Sequence, residues 1–298
     1  MPKKAKIITY DPNIPVPPDF ADAAGCVTYW RLATVDVHAL ENAWTLAANM
    51  LPKPVTQVVA LRRAVLGFAE KRRLVRPLGQ RSAWVIVDEV VIDDKTEYAD
   101  KVRVRLDDTT GLVVESIGAD AAETQDFAQR VKDAWAIEAS KLDSTDVAYW
   151  LANLARVHQA VTLRDGGGVY FMPRHSLGSW TQVIEALQKA SDCVVFSIPA
   201  VNASQDAVKA ILDALVGEMD RETKELQDLL AMPPSERPGR YALQARSDNC
   251  MTLNDKVERY EQLLGVQLGD IRVKLDTLQA GLTAAILTID AEKDAQQS

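Results

Sequence analysis

Apolar residues return every three or four positions along two stretches of the C-terminal third, 205–232 and 253–290, which is the period of an α-helix. In the first, Val208, Ile211, Leu212, Leu215, Met219, Leu226 and Leu229 share one face, with Ser204 as N-cap and Met232-Pro233-Pro234 as the stop. In the second, Leu253, Val257, Tyr260, Leu264, Ile271, Leu275, Leu278 and Leu282, continued by Ala285 and Ile289, make a near-heptad seam. Gln267 is its polar exception and the spacing around Ile271 is a stutter. Gly265 and Gly269 flank that point and favour a break within Leu264–Asp270. The proline-containing stretch Pro233–Cys250 reads as a connector long enough to reverse the chain. The pattern predicts a helical hairpin or coiled coil. Its seam pairs within the chain, with a second copy, or with a helix of another protein.

Upstream the period changes. Val27–Leu32 reads as a strand. A helix capped by Asp36 runs through Leu40, Ala43, Trp44, Ala47 and Leu51 to the Pro52-Lys53-Pro54 stop, and a second covers Val55–Lys71. Strands follow at 83–92, 98–106 and 112–117 as an antiparallel meander. In the middle strand Val102, Val104 and Leu106 alternate with Arg103 and Arg105. Helices are expected at 121–142 and, opened by Ser144 or Thr145, at 143–157. A hairpin over Ala160–Pro173 turns at Asp165-Gly166-Gly167-Gly168, and a helix at 180–190 and a strand at 193–198 complete the body. The fold class is therefore α+β, in four consecutive segments. Residues 1–26 are a proline-rich arm with a short strand at Lys6–Tyr10. Residues 27–120 are a basic helical, winged-helix-like module with the meander, 121–204 an α+β unit, and 205–298 the long helices.

With 298 residues, 47% of them hydrophobic and 26% charged, the chain can bury a full core. No run of about 18 apolar residues suggests a membrane span, and Met1–Lys6 leads into no apolar signal region, so a cytoplasmic location is expected. Cys26, Cys193 and Cys250 are widely spaced and suggest neither a disulfide framework nor a zinc site. They read as buried small hydrophobes.

Charge is distributed unevenly. The net of −8 hides a basic block, 53–81, in which eight Lys/Arg face only Glu70. Two helices, a proline turn and an arginine-rich exit into a β-hairpin follow the order of a winged helix. Arg62, Arg63, Lys71, Arg72, Arg73, Arg76 and Arg81 are its candidate nucleic-acid contacts.

Other chemistry is sparse. The Arg164–Gly168 turn is followed by a strand rather than a helix N-terminus, so it reads as a tight hairpin and not as a phosphate loop. His175 lies just beyond it, which makes Arg164–His175 the one candidate enzyme cleft. His38 and His158 bring no partner at defined spacing. Asp88-Glu89 and Asp93-Asp94 read as solvated turn carboxylates. No residue is assigned as catalytic, no metal ligand is identified and no cofactor is implied.

Tyr29-Trp30-Arg31-Leu32, Lys71–Leu78 before Trp84-Val85-Ile86-Val87-Asp88-Glu89, and Leu163–Pro173 resemble the corresponding segments of an uncharacterised family found in prokaryotes and their viruses. The similarity spans about residues 27–230. It implies a mobile-element or host-defence context and lends no catalytic residues. The expected function is that of a non-enzymatic assembly or adaptor protein using the long C-terminal helices. The alternatives are a nucleic-acid binder through 53–81 and an enzyme with a cleft near Arg164–His175.

Overall fold

A computed structural model describes residues 13–70, 73–79, 82–92, 95–107, 111–116, 121–200 and 205–297. In chain order the elements are β1 (Gly25–Arg31), β2 (Val35–Asp36), α1 (Val37–Ala43), α2 (Gln57–Leu66), β3 (Arg73–Pro77), β4 (Ala83–Ile92), β5 (Lys95–Asp107), β6 (Gly111–Ser116) and α3 (Ala121–Ala139). Then follow β7 (Lys141–Leu142), α4 (Ser144–Val157), β8 (Val161–Thr162), β9 (Val169–Pro173), α5 (Leu177–Ala190), β10 (Val194–Ala200), α6 (Gln205–Ala231), α7 (Arg240–Leu264) and α8 (Gly269–Gln297). The strand expected at Lys6–Tyr10 and the Ser204 cap lie outside the described residues.

The architecture is α+β with antiparallel sheets, but the four consecutive segments are not its divisions. Two compact units form, and both are discontinuous: one gathers the chain up to Arg31, Leu151–Ile184 and Val194 onward, and the other Leu32–Trp150 with Glu185–Cys193. Strand β1 belongs with β9 and β10, more than 130 positions away, and no local pattern announces that pairing.

In the Leu32–Trp150 unit the meander has a fourth strand. The arginine-rich exit from α2 is itself β3, so the sheet runs β3-β4-β5-β6 rather than forming a two-stranded wing. Register sets Trp84 opposite Val104 and Ile86 opposite Val102, and Leu61 and Val65 of α2 with Phe127 and Val131 of α3 close over that face. Helix α1 starts where expected, with the Asp36 carboxylate accepting from Ala39 N at 2.8 Å. It stops at Ala43 instead of Leu51. The Trp44 indole donates locally to Ala47 O and the distant Trp150 indole to Met50 O, so side-chain donors satisfy carbonyls of the irregular stretch that follows. Helix α4 is capped by Asp143 rather than Ser144 or Thr145. Asp143 accepts from Asp146 N at 2.8 Å while Asp146 accepts from Asp143 N at 3.1 Å, the reciprocal exchange of a capping box.

In the other unit the sheet order is β10-β1-β9-β8, all antiparallel. The hairpin falls where the sequence places it: Gly166, Gly167 and Gly168 all hold φ between +83° and +87°, a region costly for any residue with a Cβ. On one side of the sheet the Trp180 indole reaches Thr28 Oγ1 at 3.3 Å, and on the other Phe171 meets Tyr260 edge to face.

The C-terminal third is an antiparallel three-helix bundle, not a two-helix hairpin. The cross-contacts fix the directions. Glu218–Lys256 and Asn249–Glu222 run α6 against α7, and Arg240–Asp290 and Ser247–Gln279 run α7 against α8. Lys274–Asp220 sets α8 parallel to α6. The break at Leu264–Asp270 occurs as expected: Gly265 takes φ +67°, and Glu261 accepts from Leu268 N ahead of α8. The stutter is thus a reversal of direction. The connector is shorter than read, because α7 begins at Arg240. Its early turns carry the seam on Leu243, Ser247 and Cys250, and the serine interrupts the apolar pattern while bonding Gln279 across the core.

Candidate functional site

Among the described residues the sheet that holds the hairpin ends at β10, which pairs only with β1, in a register that sets Phe196 opposite Tyr29 and Ile198 opposite Val27. Side chains alternate across a strand, so these four share a face with Phe171, which pairs with Val27 from the other side. Phe171 is fully buried in the bundle core, but exposure rises toward the edge: Tyr29 is 37% exposed, Phe196 39% and Ile198 53%. The Tyr29 and Phe196 rings stack at 4.8 Å with 17° between planes. Val194–Ala200 contains no charged residue. On the opposite face Cys26 is buried, and burial pushes its thiol up to about 12.

A cleft runs along α6 beside the hairpin. Its wider part, about 650 Å³, lies between the Arg164-Asp165-Gly166 turn and Ala210, Asp213, Ala214 and Gly217. A smaller pocket of about 230 Å³ adjoins it through Thr162 and Arg221 and is lined by Arg156, Tyr170, Glu218 and Glu222. Both carboxylates of the smaller pocket are engaged: Glu218 with Lys256 Nζ at 2.7 Å, and Glu222 with Asn249 Nδ2 at 3.3 Å.

Beside this pocket, helix α4 ends in a Schellman turn: Ala160 N bonds Ala155 O, Gln159 N bonds Arg156 O, and Gln159 adopts φ +58° where glycine is usual. Three consecutive carbonyls each receive a buried donor, His158 O from Ser176, Gln159 O from Tyr260 and Ala160 O from Lys256. Arg259 adds a bond to Gln159 Oε1, so α7 brings two cations to the negative end of the α4 dipole. Burial lowers the Lys256 pKa, which Glu218 partly offsets, and raises that of Tyr260 well above its ordinary value. His158 sits against Trp180, and burial followed by the field of His175 brings it down to about 4. His175 is lowered to about 4 by burial and by Arg259.

These contacts separate the residues of the expected enzyme cleft. Arg164 lines the wider cavity, whereas His175 lies in the 3₁₀ turn Arg174–Ser176 under the influence of a cation. His175 is partly buried, and burial and the Arg259 charge both favour its neutral form.

The basic candidates are likewise divided. Arg63 bridges Asp143 and Asp146 at 2.7 and 2.8 Å, locking the α4 capping box. Arg73 pairs with Asp88, whose carboxyl burial raises but Arg73 and Lys101 hold below the ordinary range. Arg62 and Arg76 are exposed, and Lys71, Arg72 and Arg81 lie outside the described residues. The seam residues Leu253, Val257, Tyr260, Leu275, Leu278 and Leu282 are buried in the chain's own bundle, with Leu264 and Ile271 packed at its margin. As a surface for another helix the seam is already covered. Among the described residues no group of three or more His, Cys, Asp or Glu is placed to hold a metal ion, and no helix is long and apolar enough to cross a membrane.

The sequence profile of a family of unknown function (DUF6744) matches residues 27–293, beginning where the sequence resemblance begins and continuing through most of α8. No curated protein and no solved structure matches the chain.

Proposed function

We propose that this chain, which belongs to the DUF6744 family of unknown function, is a non-enzymatic assembly protein that self-associates through the outer edge of β10, which no described strand covers. One observation supports the reading: seven consecutive uncharged residues form an edge strand with Phe196 and Ile198 exposed beside Tyr29. Monomeric proteins blunt such edges with lysine, proline, inward charges or a covering element, because unpaired backbone groups beside apolar side chains invite another strand; of these β10 has only Pro199, near its end.

A second copy fits this edge by its own symmetry. Antiparallel pairing centred on Ser197 sets Phe196 of each chain opposite Ile198 of the other, an aromatic against a β-branched residue. The contact is isologous and closes at a dimer. Expected from the helical seam, self-association moves to the sheet, since the seam is buried. Light scattering on the wild type and on Ile198→Glu tests this. A dimeric wild type and a monomeric variant support it, and a mass unaffected by the substitution contradicts it.

A further inference from the structure

We infer that the smaller pocket between α4, α6 and the β8–β9 hairpin binds a single small oxyanion, of phosphate or carboxylate type, held by Arg156 and Arg221. The two guanidiniums come from different helices and line one cavity of about 230 Å³. Among the described residues neither forms an ion pair, and the hydrogen bond from Arg156 goes to neutral Asn153 at 3.2 Å. Planar guanidinium forks match the paired oxygens of phosphate and carboxylate, and two of them address such an ion from two sides.

The pocket's own carboxylates do not cancel this. Glu218 is matched by buried Lys256, and Glu222 accepts from Asn249. With Lys256 counted, three cations stand against two anions, and Arg156 and Lys256 are close enough for the Arg156 charge to lower the lysine's pKa. Thr162 and Tyr170 of the β8–β9 hairpin complete the lining.

The adjoining cavity limits the size of the charge. Asp165 and Asp213 line it, so a nucleic-acid strand extending there would meet carboxylates. Its floor of Ala210, Ala214 and Gly217 leaves space for an uncharged group attached to the anion. The ligand class is a lone oxyanion, free or at one end of a small molecule.

Isothermal titration calorimetry on the full chain at low ionic strength, with inorganic phosphate in one arm and butyrate, a monocarboxylate with an uncharged tail, in the other, separates the two sources. Saturable one-to-one binding is expected in at least one arm, and the tighter arm identifies the oxyanion. Arg221→Gln weakens it roughly tenfold, as does Arg156→Gln, while Arg62→Gln leaves it unchanged. Both arginines are exposed, and native helical circular dichroism verifies each variant. No saturable heat in either arm overturns the proposal, as does undiminished binding by a folded Arg156→Gln/Arg221→Gln protein. The result is independent of the β10 edge, which this pocket does not include.

Discussion

The Tyr260 hydroxyl of α7 donates to the carbonyl of Gln159 at 2.9 Å, and Gln159 is the residue that ends α4 with φ +58°. A left-handed non-glycine conformation costs on the order of 1 kcal/mol and persists only where the surroundings determine it. Here they do so through Ser176, Tyr260 and Lys256 on successive carbonyls and Arg259 on the Gln159 side chain. Tyr260→Phe leaves a buried carbonyl without its donor. It is expected to cost about 1–3 kcal/mol by urea unfolding. Gln159→Gly relieves the backbone but loses the Arg259 bond, so its net effect stays within about 1 kcal/mol.

Lys256 and Glu218 tie α7 to α6 with the ammonium almost wholly buried. Lys256→Met strips Glu218 of its counter-ion and leaves Ala160 O without a donor, and is expected to destabilise by about 3–5 kcal/mol. Adding Glu218→Leu recovers much of that loss, because a packed apolar pair replaces a desolvated ionic one. Equal stability of the single and double variants in denaturant contradicts this account.

Acid sensitivity follows from buried His158 and partly buried His175. Folded His158 and His175 titrate near 4 and the unfolded side chains near 6.5, so the unfolded state binds more protons between those values. Their contribution is fully present above pH 6.5 and is lost as pH falls toward 4. His158 alone accounts for roughly 2–3 kcal/mol by pH 4.5. His175 and Arg259 oppose charging of this site, and Trp180 lies against it. Urea midpoints at pH 7.0, 5.5 and 4.5 should decline in that order, and His158→Phe should flatten the decline.

Arg63 and Arg62 are adjacent but differ in role. Arg63→Ala breaks both bridges to the α4 cap and is expected to lower stability by about 1–2 kcal/mol, discounted for partial exposure, whereas Arg62→Ala stays within about 0.5 kcal/mol. Comparable losses for the two would remove the structural assignment of Arg63.

Local pattern carried much of the fold. Alternation of Val102, Arg103, Val104 and Arg105 marked a strand, three glycines marked the hairpin, and Gly265 with Gly269 marked the turn into α8. Helix α7 was half missed because Ser247 occupies a seam position that only its bond to Gln279 explains. The end of α4 at Val157 fell where expected, but the left-handed turn after it gave no signal, since Gln159 stands where glycine would have shown it. Sites assembled from distant segments stayed hidden. Arg156 and Arg221 meet across 65 positions, and the edge at β10 depends on its distant pairing with β1. One clue to the edge was present: Val194–Ala200 carries no charge, so of the usual edge protections it has only Pro199.

Sedimentation equilibrium over a hundredfold concentration range tests the central claim most directly. The wild type should rise from 32.8 kDa toward twice that mass, while Phe196→Lys/Ile198→Glu remains at 32.8 kDa with unchanged circular dichroism. A wild-type chain that stays at 32.8 kDa throughout would contradict assembly through β10.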